Sequence, residues 1–192
     1  MISSYRLGDL VLLSLNQEDI NEISRDFPNS IGASYINQLT QNPSLNKIDL
    51  ITTIVLKELE EKYHLLPNDI KSSTVIHLRL GDVVAGNQSH EIIKRPFSIN
   101  ELKEVVPNND KIYVIGKPFF ARPSSNNYQE CIDKSNEYLN EVLLNFDGTH
   151  LDLGNADLDL LVGVASKTFI QGKGFFSQLI NHIRNNSYKF KI

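Results

Sequence analysis

Strands alternating with helices from residue 74 onward predict an α/β fold, a parallel sheet with helices on both faces. Two observations carry that expectation. Short β-branched runs such as Lys111–Gly116 are separated by amphipathic stretches long enough for crossover helices. The chain before residue 70 shows mostly helical periodicity instead, so residues 1–70 are read as a small helical N-terminal region and 71–192 as the sheet-bearing domain. Parallel sheets of this kind bind ligands outside the carboxyl ends of their strands. The loops after Leu80, Gly116 and Gln171 all fall at that edge.

Taken in order, Tyr5–Leu15 is apolar around a Gly8-Asp9 turn, and Asn16 is suited to cap a helix with acids in its first turn. Phe27-Pro-Asn-Ser30 breaks that helix, and Ser30 starts another that runs to about Gln41. The clearest helix runs from Asn46 to about Tyr63, with Ile51, Val55 and Leu59 on one stripe. Thr74 to Leu80 alternates as a strand, with Ile76, Leu78 and Leu80 on one face and Val75, His77 and Arg79 on the other. Val83–Pro96 is a polar loop, and Ser98-Ile-Asn-Glu101 is a capping box for a helix that Pro107 ends. Lys111–Gly116 is a second strand. A long helix follows, with Tyr128, Cys131, Tyr138, Val142 and Phe146 on its apolar stripe. Thr149–Leu153 is a third strand, Asn155 caps the next helix, and Thr168–Gln171 is a fourth strand. Gly172–Ser177 turns into a final helix, and the tail from Tyr188 is suited to an edge strand.

At 192 residues, 41% hydrophobic and 22% charged, the chain has the composition of a globular protein with one core. A net charge of -4 excludes a global basic field, so no nucleic-acid partner is expected and any anion site must be local. One cysteine, Cys131, excludes an internal disulfide framework. The opening residues lack a basic stretch followed by an apolar core, and no apolar run is long enough to span a bilayer. A cytoplasmic protein without a membrane span is the expectation.

Two stretches are suited to chemistry. In Thr74–Asp82 an imidazole and a guanidinium project side by side near a strand end, and Gly81-Asp82 then turns the chain. Two cationic donors on an otherwise apolar strand are costly as structure alone, and a phosphate between them accounts for their presence. In Gly172-Lys173-Gly174-Phe175-Phe176-Ser177, two glycines allow close backbone approach to a phosphate at a helix N-terminus, with a lysine and a hydroxyl beside it. Each stretch also has a structural explanation: a core histidine, an arginine paired to an acid, and a turn that needs glycine for its geometry. Gly116 at the end of the second strand, and Lys117 and Arg122 in its exit loop, are read as auxiliary contacts to a nucleotide. Asp152, Asp157 and Asp159 are read as compensating a helix dipole rather than holding a metal, and Cys131 as core.

His77-Leu-Arg79-Leu-Gly81-Asp82 resembles the H-x-R-x-G-D strand-end motif of the α-1,2, α-1,6 and protein-O-fucosyltransferase superfamily. The stretch from Asp157 through Thr168-Phe-Ile-Gln to Phe175-Phe-Ser177-Gln-Leu-Ile is similar to that family's helix, strand, serine-containing turn and helix. The likeness spans roughly residues 74–186. It implies the C-terminal, Rossmann-like donor lobe of a GT-B-type glycosyltransferase that uses a nucleotide sugar, usually GDP-fucose, without a metal or other cofactor. By that resemblance Arg79 contacts the donor's β-phosphate, His77 orders the site, and the Gly172–Ser177 turn meets the diphosphate. Asp82 is the nearest carboxylate to act as base. Leu80 stands where many members have a second arginine, and about seventy residues precede the motif, fewer than a full acceptor lobe.

The glycan or protein acceptor site would then come from those N-terminal helices or from a partner, a second copy of the chain included. Two other readings stand beside this one. The first is a non-catalytic nucleotide-binding or assembly module derived from the same lobe. The second is a dinucleotide-binding oxidoreductase, which rests on the glycine turn alone.

Overall fold

The computed structural model describes residues 45–81, 83–84, 96–108, 110–119 and 128–188. The helices and tail strand expected before residue 45 and after Tyr188 lie outside them. Helix α1 (Leu45–Lys62) matches the periodic stretch and buries Ile48, Ile51 and Val55. Strand β1 covers Thr74–His77 and β2 Leu80–Gly81. Helix α2 (Ile99–Val105) opens on the expected capping box, with Glu101 N donating to Ser98 Oγ and Ser98 N donating to the Glu101 carboxylate. Strands β3 (Ile112–Ile115) and β4 (Pro118–Phe119) follow, then α3 (Tyr128–Phe146), β5 (Thr149–His150), α4 (Ala156–Ala165), β6 (Thr168–Ile170) and α5 (Phe175–Ser187). Asn155 caps α4 by accepting from Asp157 N at 2.7 Å.

The main sheet is parallel throughout, in the order β5-β3-β1-β6. From β1 the chain steps outward through β3 to β5, then returns past β1 to place β6 on its other side. Helices α2 and α3 cover one face, where Ile76, Leu78, Leu80, Leu102, Ile112, Val114 and Val142 form one cluster. Helices α1, α4 and α5 cover the other, with Val75, Tyr113, Ile115, Leu160, Leu161, Leu179, Ile180 and Ile183. The face changes where the strand order reverses, as a uniform crossover hand requires. The result is a Rossmann-like α/β domain whose reversal point lies between β1 and β6.

Three strand expectations are corrected. The run expected as one strand from Thr74 to Leu80 is divided: β1 ends at His77, and Leu80–Gly81 pairs with Pro118–Phe119 in a separate two-stranded parallel ribbon. The cause lies on the neighbouring strand. Leu78 N still donates to Ile115 O at 2.9 Å. Gly116 then turns with φ +141, and a Cβ there would overlap the Leu78 carbonyl oxygen, so both chains leave the sheet together. The third strand is only Thr149–His150, because its partner offers only Tyr113 and Val114. The fourth ends at Ile170, before Gln171.

Candidate functional site

The carboxyl ends of β1 and β6 converge at the reversal point, and the two sequence-marked stretches meet there. His77 is the last residue of β1 and is only 6% exposed. The turn after β6 lies directly on it. A Cβ at Gly172 would overlap the His77 carbonyl oxygen and come 2.8 Å from His77 Nδ1. Phe176, in the first turn of α5, completes the enclosure, its ring centroid 5.8 Å from that of His77 at 47°. The imidazole is therefore wedged between a glycine backbone and an aromatic ring, where it positions the turn.

Two residues on, Arg79 is half-buried and meets the second glycine. A Cβ at Gly174 would lie 3.0 Å from Arg79 Nη1 and 3.5 Å from Cδ. Gly174 is also the N-cap of α5, in extended conformation (φ −166, ψ 157) and with no side-chain cap. Its N–H donates to Gly172 O at 3.0 Å, which tightens the turn. A guanidinium thus rests against the positive end of a thirteen-residue helix. Those two features repel as a pair and attract an anion together.

Ser177 is fully buried in the first turn of α5, and its Oγ has no hydrogen-bond partner among the described residues. Phe175 is partly buried and packs on the core cluster beneath α5. Lys173 reaches the start of α2. Its ammonium lies 3.4 Å from Glu101 Oε1 and 4.6 Å from the Phe97 ring centroid. Gly116 has a backbone role beside Leu78, and its carbonyl oxygen faces His150 Nε2 at 3.1 Å. Lys117 pairs with Asp152, which holds that carboxyl below its usual range. Asp82 and Arg122 lie outside the described residues.

Three contributors carry no functional signal in the sequence. Ser135, within α3, accepts from Gly81 N at 2.9 Å and donates to Cys131 O at 2.6 Å, so it fixes the chain just beyond Arg79. Glu101 shows a capping residue and nothing more, because Lys173 lies 72 positions away. Phe97 precedes that cap and lines an open groove of about 590 Å³ with Val83, Val84, Ile99, Tyr138 and Glu141. Among the described residues no group of three or more His, Cys, Asp or Glu is placed to hold a metal ion, and no helix is long and apolar enough to cross a membrane.

No protein-family description, curated protein or solved structure matches the chain.

Proposed function

We propose that the crevice between β1 and β6 binds the diphosphate of a nucleotide sugar, and that the chain is a fucosyltransferase-like glycosyltransferase of GT-B-type lobe architecture. The supporting observation is the meeting of Arg79 with the uncapped N-terminus of α5 across Gly174. Both features lower the free energy of negative charge that grows on a departing diphosphate, and both are in place before reaction. In the transfer, an acceptor hydroxyl oxygen bonds to the sugar's anomeric carbon. The bond from that carbon to the diphosphate breaks, with its electron pair leaving on the phosphate oxygen. The acceptor's proton passes to a base, for which Asp82, next in the chain after Gly81, is the proposed carboxylate. GDP-fucose is the proposed donor, on the H-x-R-x-G-D resemblance.

The test is a thermal-shift panel of GDP, UDP, CDP, GDP-fucose and NAD on wild type and Arg79→Ala, followed by an assay for donor consumption. Guanine nucleotides at a hundredfold excess over Kd should raise Tm by roughly 5–10 °C. Arg79→Ala should weaken them at least tenfold. An identical shift in both proteins would remove Arg79 from the site, and a shift with NAD alone would favour the oxidoreductase. The non-catalytic module is the second reading, since the meeting of Arg79 with the N-terminus of α5 accounts for nucleotide binding alone. Guanine-nucleotide binding without donor consumption would select it.

A further inference from the structure

Lys173 belongs to the glycine turn by sequence, yet its charge is held elsewhere. Gly172 and Gly174 on either side pack against His77 and Arg79. The Lys173 ammonium reaches Glu101 and Phe97, at the start of α2. Helix α5 covers one face of the sheet and α2 the other. The lysine therefore passes over the carboxyl edge of the sheet from one helical layer to the other. The Lys173 and Glu101 side chains are 21% and 33% exposed, so water and salt screen the pair. Its strength corresponds to a factor of roughly 1.4 to 5 in an equilibrium constant. Glu101 Oε2 is engaged separately, accepting from Ser98 N at 2.7 Å and from Ser98 Oγ at 2.9 Å.

We infer that Lys173 and Glu101 form a charge latch over the crevice, opened when a diphosphate oxygen replaces the Glu101 carboxylate as partner of Lys173. The inference rests on the anion site proposed above. A single phosphate is matched by one guanidinium and one helix N-terminus. A second phosphate adds charge that these do not balance, and Lys173 supplies a further cation from the residue just before Gly174. The exchange makes and breaks no covalent bond. It makes the site selective for diphosphates over monophosphates, and it couples occupancy to the start of α2.

Isothermal titration of the full-length chain with inorganic pyrophosphate and with inorganic phosphate tests the latch. Glu101→Gln is the informative variant, because glutamine keeps the capping box on Ser98 while removing the charge that holds Lys173. Pyrophosphate should bind Glu101→Gln about two- to fivefold more tightly than wild type. Lys173→Met, which retains an apolar stem over Phe97, should bind it at least fivefold more weakly. The double variant should match Lys173→Met, and phosphate affinity should change less than twofold in all three. Unchanged or weaker pyrophosphate binding by Glu101→Gln, or a Glu101→Gln gain that persists beside Lys173→Met, overturns the latch. Binding that depends on Arg79 but not on Lys173 discards the latch alone. No pyrophosphate binding by wild type, or none lost in Arg79→Ala, discards the anion site and the latch together.

Discussion

Arg79 and the two glycines opposite it show how one methyl group can separate folding from binding. Gly172 is buried, and a Cβ there meets backbone, the His77 carbonyl oxygen, which cannot swing aside. Gly172→Ala should therefore cost about 3 kcal/mol through overpacking. Gly174 has an extended backbone that any residue adopts, and its added Cβ meets Arg79 Nη1, the far end of a flexible side chain. Gly174→Ala should change stability by less than about 1 kcal/mol but push the guanidinium off the helix end, weakening pyrophosphate roughly tenfold. Urea midpoints and titration on the two variants separate these effects, and a Gly174→Ala protein that binds normally would contradict the placement of Arg79. The juxtaposition was partly legible beforehand. Alternation set Val75 and His77 against Ile76, Leu78 and Leu80, and the two sheet faces keep that division. The break after His77 was not legible, because it follows from the φ of Gly116 on another strand.

At the scale of elements, what the sequence shows best is local chemistry. Ser98 with Glu101, and Asn155 with Asp157, mark helix starts because cap and partner are neighbours in the chain. Strand ends and helix stops depend on distant partners and stay hidden. The C-terminus of α4 is an example. Arg184, from α5, donates through Nη1 to the carbonyl oxygens of Gly163 (2.8 Å), Val164 (3.1 Å) and Ser166 (2.8 Å), and through Nη2 to Lys167 O (3.1 Å). Burial pushes its pKa down, yet it remains a cation at the negative end of a helix. Gly163 lets the two helices approach this closely, since a Cβ there would come 2.8 Å from Ile180 Cγ2. Arg184→Met, which removes the forked donor, should cost about 2–3 kcal/mol. Arg184→Lys should fall between, because one ammonium cannot reproduce the fork. Urea unfolding that ranks Arg184→Lys equal to wild type would show that charge alone, rather than forked geometry, holds the two helices.

Across the whole molecule, the two edges of the sheet serve different ends. The carboxyl edge gathers Arg79, the glycine turn and the helix N-terminus, while the opposite edge is closed by two carboxylates. Asp69 takes Lys111 at 2.9 Å and the Tyr113 hydroxyl at 2.7 Å, and these bonds, the lysine's foremost, hold its carboxyl below the usual range. Asp110 takes Lys167 at 2.7 Å and Thr74 Oγ1 at 2.8 Å, with the same effect and again the lysine first. Together they join the starts of β1, β3 and β6. No local pattern announces this, because Thr74, Asp110 and Lys167 meet only once the strand order has placed β1 in the middle. The folded carboxyls bind protons less readily than the unfolded ones. Their stabilisation is therefore complete above the unfolded value of about 3.9 and is lost as pH falls through it toward the lower folded values. Wild type should keep this contribution through neutrality and lose it below about pH 4. Asp110→Asn keeps an acceptor for Thr74 but gives up the charge facing Lys167. Its urea midpoint should lie below that of wild type at pH 7, and the gap should close as both are taken down toward about pH 2.5. A gap that stays constant across that range would mean that Asp110 stabilises the edge by its hydrogen bonds alone, with its ionisation contributing nothing.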